Sequence, residues 1–279
     1  MAFTATTTNS AAAWRPDLFV FEPADALPEA AILEHTTVAG RVEGDAVSTR
    51  VAYVADDTAE FVAEGAEIDE GEPGLNEAQV WTSKIAQLVR LSREQYSQAG
   101  TDTELARSVA RAMTAKADNA FLAQAAPTSP AVAPVAGLLN VAGLSSQTAV
   151  GGSLDKLIDL EAAVRAAGAN PTAWIMSPDS WAILRKMKTG TDYNSTLLGA
   201  GTDNAEPRLL SIPVFVNAQM PTKRGLLVDK AAIISAVGPL EIATDSSRYF
   251  SSDSIAVRAT WRTGHVLPRP ARIGAFTLT

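Results

Sequence analysis

The sequence contains no cysteine. That excludes a disulfide framework, a thiolate nucleophile and a zinc site built on sulfur. It has only two histidines, His35 and His265, far apart in the chain. Each reads as a solitary surface or internally satisfied residue and not as half of a ligand pair. No run of about 18 apolar residues occurs, so no segment is suited to span a membrane. The opening MAFTATTTNSAAAW lacks the basic flank and apolar core of a secretory signal. Basic tracts are missing too, and the formal net charge is −8, which argues against a dedicated nucleic-acid-binding protein. Catalytic signatures are equally scarce. Gly199-Ala200-Gly201 leads into no Lys-Ser/Thr helix start, and no G-x-S-x-G elbow occurs. No carboxylate sits alone in an apolar context that would raise its pKa. Asn194-Ser195-Thr196 matches the glycosylation triplet, which carries little meaning without secretion. No cofactor, metal or catalytic residue is expected, and these absences shift the balance towards a structural role.

What is there is 279 residues, 47% of them apolar, with a mean hydropathy of +0.06. That is enough for one large domain or two smaller ones. The stretch TDTELARSVARAMTAKADNAFLAQ, from Thr101 to Gln124, places Leu105, Val109, Met113, Ala117 and Phe121 at every fourth position, hence on one helical face. Arg107, Arg111, Lys116 and Asp118 fall elsewhere and form a polar flank. Thr101 with Glu104 reads as a capping box, and Pro127 marks the end. The result is a slim rod of roughly 34 Å, a structural beam.

Ahead of it, residues 1–40 are rich in Thr, Ala and Pro and read as an extended arm whose Trp14, Phe19 and Phe21 dock on another surface. VSTRVAYV, from Val47 to Val54, alternates as a strand does, and Val80 to Leu91 is a second β-rich run that returns beside it. Between them lie Asp56, Asp57, Glu60, Glu64, Glu67, Asp69, Glu70, Glu72 and Glu77 without one Lys or Arg. Like charges at that density repel and do not pack into a core. The spacing does not fit an EF-hand, so the run reads as the acidic tip of a projecting hairpin.

Beyond the long helix, PTSPAVAPVAGLLNVAGLSS is a crossover. Ser153 is placed to cap the helix LDKLIDLEAAVRAAG, which Gly168 ends. TAWIMS is a short strand, and PDSWAILRKMK is a helix with Pro178 in its first turn. Thr189 to Pro207 is a Gly/Asn/Asp/Thr loop. PVFVN, GLLVD, AIISAV and LEIATD are strands, and the tail reads as one long strand and a shorter one across a turn at Gly264. Helices among strands make the chain α/β or α+β.

The order of these features resembles the major capsid proteins of tailed double-stranded DNA bacteriophages, with the Hong Kong ninety-seven fold. The resemblance runs through QVWTSKIAQLVRLSREQY, GANPTAWIMSPDSWAILRKMK, LLSIPVFVNAQMP, GLLVDK and RYFSSDSIAVRATWRTGHVLPRPARIGAF, spanning about residues 78–279. It implies an α+β fold in parts: an N-terminal arm (1–40), an E-loop hairpin (41–80), a peripheral domain with a spine helix (81–135), an axial domain (136–245), and C-terminal strands (246–279). Some members cross-link a loop lysine to a neighbour's asparagine with help from a glutamate. Here the first lysine is Lys84, past the acidic loop, and the matching positions hold Asp253 and Thr260, so that route is closed. Some members also carry a scaffolding segment before the arm; only about 40 residues precede the hairpin here, which points to a separate scaffolding protein.

The resemblance therefore implies a capsid subunit, not an enzyme. It would assemble as hexamers and pentamers into an icosahedral shell around packaged double-stranded DNA, in the virion after assembly in host cytoplasm, with a portal as further partner and no membrane. The expected interface residues are Trp14, Phe19 and Phe21 on the arm and Glu67, Asp69, Glu70 and Glu72 in the loop, with Arg90, Arg93, Arg107 and Arg111 on or before a neighbour's helix. Two alternatives stand beside it: an encapsulin-like nanocompartment subunit, and an enzyme using residues 136–245 as a small-molecule domain.

Overall fold

The β-rich run before the long helix breaks at Thr82 and feeds two different sheets. In the computed structural model, β3 (Ser48–Ala55) pairs antiparallel with β4 (Gly74–Trp81), from Ser48 opposite Trp81 to Ala55 opposite Gly74. β5 (Ser83–Ser92) turns away and joins the main sheet. The hairpin partner of Val47–Val54 is thus residues 74–81 and not 80–91. Thr82 is buried at the crossing, its amide donating to Val47 and its hydroxyl to the Ala46 carbonyl at 2.7 Å. The structure describes residues 18–21, 27, 29–42, 46–55, 61–62, 74–97, 101–151, 153–190, 193–196, 198 and 207–279. Trp14, the acidic residues Glu67, Asp69, Glu70 and Glu72, most of the Thr189–Pro207 loop and the side chains of the Thr101–Glu104 capping box lie outside it.

The main sheet is built around β15 (Ser254–Val266). One side of this long strand takes β5, from Ser254 opposite Ser92 to Thr263 opposite Ser83. The other takes β14 (Leu240–Tyr249) and then β13 (Ile234–Val237). Outside these lie β1 (Leu18–Phe21), antiparallel to β14, and β2 (Thr37–Arg41), parallel to β13. Residue 27 and residues 29–41 therefore pack on the body of the chain, while most of residues 1–26 lies outside the described residues. Leu27, Ala30, Ala31 and Ile32, the last two in the short helix α1 (Ala31–Glu34), are buried in the main core. Gly264 is no turn either. It lies inside β15, where a Cβ would stand 2.0 Å from the Trp81 carbonyl oxygen, so the close crossing of β4 and β15 requires glycine.

Helix α2 (Arg93–Ser97) leads into α3 (Thr101–Ala123), the long helix. Val109, Met113, Ala117 and Phe121 are buried as the fourfold spacing predicts, and Leu105 packs at the margin. This stripe sits between the main sheet, through Ala259, Trp261 and Leu240, and one face of a second sheet, through Ala173, Ile175, Leu226 and Val228. The second sheet runs β10 (Arg208–Leu209), β11 (Ile212–Val216), β7 (Ala173–Met176), β12 (Arg224–Val228), β16 (Gly274–Leu278), β6 (Ser145–Val150). Its other face carries α4 (Asp155–Ala166) and α5 (Pro178–Lys186) over Trp174, Met176, Leu227 and Phe276. A sheet buried on both faces needs apolar residues at successive positions, and AWIM and GLLV supply them. The N-cap of α4 is Leu154; Ser153 stands one position earlier, bonded to the Asp155 carboxylate at 2.9 Å. Residues 234–245, expected in the same unit as residues 136–228, go to the main sheet because they lead directly into the hairpin with β15. The fold is α+β, as the alternation of elements suggests.

Candidate assembly interface

Two surfaces gather the arginines singled out in the sequence. The first is the turn joining β14 to β15. There Arg90, outward on β5, lies with its guanidinium 4.6 Å from the centre of the Tyr249 ring, and Arg248 approaches the same ring at 5.6 Å. Arg93 bonds Asp253 through Nε at 2.7 Å, and its backbone amide donates to the Asp253 carbonyl. Asp253 takes a left-handed conformation (φ 42°), which its short polar side chain tolerates. Phe250, at the tip, is 85% exposed. The tip thus gathers aromatic and cationic side chains, residue types enriched at protein interfaces.

The second surface is an open cleft of about 590 Å³ along α3. Arg107 and Arg111, one helical turn apart and exposed, line it with Ala110 and Ala115, facing Leu27 and the segment Val216–Gln219. Asp118 closes its inner end. It was expected on the polar flank of the helix, yet it is only 5% exposed. Its Oδ1 accepts the Ala31 amide at 2.8 Å and its Oδ2 accepts Asn217 Nδ2 at 2.7 Å. Burial pushes its pKa up, while these two bonds pull it down by less. The readable signal was its place one residue from Ala117 and four before Leu122, inside the buried arc.

The four arginines therefore form two pairs at different places: Arg90 and Arg93 at the turn, Arg107 and Arg111 along the cleft. Phe19 and Phe21 sit in β1, with their backbones opposite Ile242 and Leu240 of the same chain. Lys84 lies on β5 directly across from Arg262, and Thr260 is buried on β15. Neither residue stands at the turn that holds Asp253.

Both histidines are buried. His265 Nε2 donates to the Ala136 carbonyl at 3.0 Å and packs edge-on against Phe121, and His35 packs against Phe215. Burial lowers the pKa of each to about 4. Among the described residues no cluster of three His, Cys, Asp or Glu could hold a metal ion, and no helix is long and apolar enough to cross a membrane.

The two larger sheets thus pack around one long helix. A sequence profile of the Phage capsid family matches residues 32–277, and the chain belongs to that family. It is a capsid shell protein, a structural protein. Solved structures agree on the fold. The capsid of a native GTA particle is similar over 90% of each chain, at 20% identity and a TM-score of 0.68. A Microbacterium phage Oxtober96 chain is similar over 98% of this chain and 99% of that one, at 13% identity and a TM-score of 0.70. A Mycobacterium phage Adephagia chain is similar over 99% of each, at 14% identity and a TM-score of 0.66. No curated protein matches by sequence.

Proposed function

We propose that this chain is a Hong Kong ninety-seven-type major capsid subunit. It assembles without covalent cross-links as hexamers and pentamers into an icosahedral shell around double-stranded DNA. On this reading β3–β4 is the E-loop, α3 the spine helix of the peripheral domain, and the second sheet the axial domain. The observation that carries it is the hairpin. Among the described residues β3 and β4 pair only with each other, and Leu75 and Val54, opposite one another near the far end, are 84% and 51% exposed. The base of the ribbon packs on the body through Val80 and Ala78, but its far end is a bare two-stranded ribbon, marginal in water, and the apolar pair there favours completion by another subunit. Residues 56–73 carry eight carboxylates and no Lys or Arg, and all 23 cations lie elsewhere in the sequence. That segregation favours the loop of one subunit lying on the arginine-bearing surface of the next. Each exposed pair is worth only about 0.2–1 kcal/mol, but a shell repeats it many times.

The absence of cross-links rests on chemistry. There is no cysteine, no amine between Asp56 and Ala78, and Asp253 offers a carboxylate already paired with Arg93. Electron microscopy of the expressed protein, together with a denaturing gel of boiled particles, tests both halves. Closed shells and one band near 29 kDa are expected. A soluble monomer, or a ladder of pentamers and hexamers, would overturn the respective half. Shells that hold protein cargo and no DNA would restore the nanocompartment reading.

A further inference from the structure

The main sheet ends on one side in a long open strand. β5 pairs with β15 along one edge over its whole length, from Ser83 to Ser92. Among the described residues no strand pairs with its other edge, so alternate amides and carbonyls point away from the sheet. The edges on the far side are shorter, four residues in β1 and five in β2. The side chains of β5 show the same incompleteness. Val257, Ala259 and Trp261 on β15 are buried, whereas Val89, Gln87 and Ile85 directly across from them are only half-buried. On the opposite face of the strand Leu88 is 46% exposed, with Ala86 and Arg90 on either side of it.

This edge is self-complementary in one register. A second β5, antiparallel across a two-fold axis, can pair along nearly the whole strand in two ways that keep each face on its own side: 83–91 centred on Gln87, or 84–92 centred on Leu88. Centred on Gln87, the pairing sets Lys84 directly against Arg90 of the partner, twice, and like charges so placed are destabilising. Centred on Leu88, it sets Lys84 against Ser92 and Arg90 against Ala86. Leu88 then meets its own counterpart on one face, and Ile85 meets Leu91 on the other. Rings of five or six subunits close on themselves, so a shell needs a further contact that joins one ring to the next. A two-fold contact uses the same patch on both partners, and a self-complementary strand edge is such a patch.

We propose that β5 of one subunit pairs antiparallel with β5 of a second copy, centred on Leu88, and that this pairing joins neighbouring rings in the shell. The proposal rests on the assembly reading above and adds to it the contact between rings. The backbone ladder holds the two strands together, and Lys84 and Arg90 exclude the slipped register.

The chain has no cysteine, so a disulfide between introduced ones reports one contact alone. Particles carrying Leu88→Cys are treated with a mild oxidant and run on a non-reducing denaturing gel. A covalent dimer is expected, because residues directly opposite in an antiparallel pair lie about 4.5–5.5 Å apart at Cα, within disulfide reach. Ala86→Cys, on the same face but opposite Arg90 in this register, should stay monomeric. Intact Leu88→Cys particles that yield only monomer, or equal dimer from both variants, would overturn the pairing and leave the shell reading standing. Leu88→Lys tests the same contact without cysteine. It sets two ammonium groups on the axis, so free pentamers and hexamers should replace closed shells under the electron microscope, with the melting of the isolated subunit unchanged. Closed shells at the parent's yield would overturn the contact between rings, whereas a parent that forms no rings at all would overturn the assembly reading with it.

Discussion

Asp118 of α3 and Asn217 at the end of β11 meet side chain to side chain at 2.7 Å, although 99 positions separate them in the chain. The same carboxylate takes the first amide of α1. One buried group thereby fastens the N-terminal segment, the long helix and the second sheet to one another.

Removing it should be expensive. Asp118→Ala leaves the buried Ala31 amide without an acceptor, at about 1–3 kcal/mol, and removes the acceptor of the half-buried Asn217 amide, a bond worth about 1 kcal/mol. A loss of about 2–4 kcal/mol in urea unfolding of the isolated subunit is expected. Asp118→Asn, which keeps one acceptor, should lose roughly half as much. A loss under 0.5 kcal/mol, roughly the level of an unremarkable surface change, would show that the bonds are dispensable.

Gly264→Ala should fail in a different way. The added methyl would sit 2.0 Å from the Trp81 carbonyl, and both partners are backbone, so neither a rotamer change nor a side-chain shift relieves it. Overpacking of this kind costs about 1–3 kcal/mol or more. A melting temperature several degrees below the parent is expected, by calorimetry of the subunit. A substitution at Gly151, which meets only the side-chain hydroxyl of Thr279, serves as the mild control.

The two buried histidines make the subunit acid-labile in a defined window. Unfolded, each titrates near 6.5, whereas folded, burial lowers it to about 4. The unfolded state therefore binds more protons between those values. Stability is complete above pH 6.5 and is lost as pH falls towards 4, by about 1.4 kcal/mol per histidine per pH unit in mid-window. Asp118 and Glu34 work in the opposite sense, because burial raises both and protonation then favours the folded state. The test is accordingly a difference. The fall in melting temperature from pH 7 to pH 5 should shrink in the double variant His35→Asn, His265→Gln, and an equal fall in both proteins would refute the assignment.

A gain is available at the turn between β10 and β11. Leu210 and Ser211 both adopt left-handed backbone (φ 50° and 66°), as a two-residue hairpin of this hand demands. Leu210 packs against the second core and so holds its place. Ser211 is exposed, and Ser211→Gly should raise stability by up to about 1 kcal/mol in thermal unfolding, the left-handed strain outweighing the added freedom of the unfolded chain.

Local periodicity carried most of the elements. The fourfold spacing from Leu105 to Phe121 located the long helix and its buried face, and the unbroken apolar runs around Trp174 and Leu226 located the central strands of the second sheet. Long-range pairing was not legible. Nothing near Gly264 distinguishes a turn from a strand crossed closely by Trp81, because the reason for the glycine lies at residue 81. Thr82 likewise looks like any strand threonine until its bonds to Ala46 and Val47 are known. The burial of Leu27, Ala30, Ala31 and Ile32 was not legible because they share a core with residues more than seventy positions away, Val109 and Phe121 among them, and have no period of their own. For the expected interface, composition singled out four arginines, but it could not divide Arg90 and Arg93, at the β14–β15 turn, from Arg107 and Arg111, along the cleft.

The central position of β15 has a consequence for how the chain folds. Its partner β5 waits across a gap that, at the Arg93–Asp253 bond, measures 160 residues. Closing a loop of that length costs about 4–5 kcal/mol of chain entropy, before the ladder returns anything. Pairing so remote in sequence is slow, in the range of milliseconds to seconds for sheet-rich domains. During that interval the ten residues of β5 present unpaired amides and carbonyls beside the half-formed core, to any strand that arrives first. Yield of soluble subunit should therefore depend on synthesis rate and temperature more steeply than the stability of the finished fold would suggest.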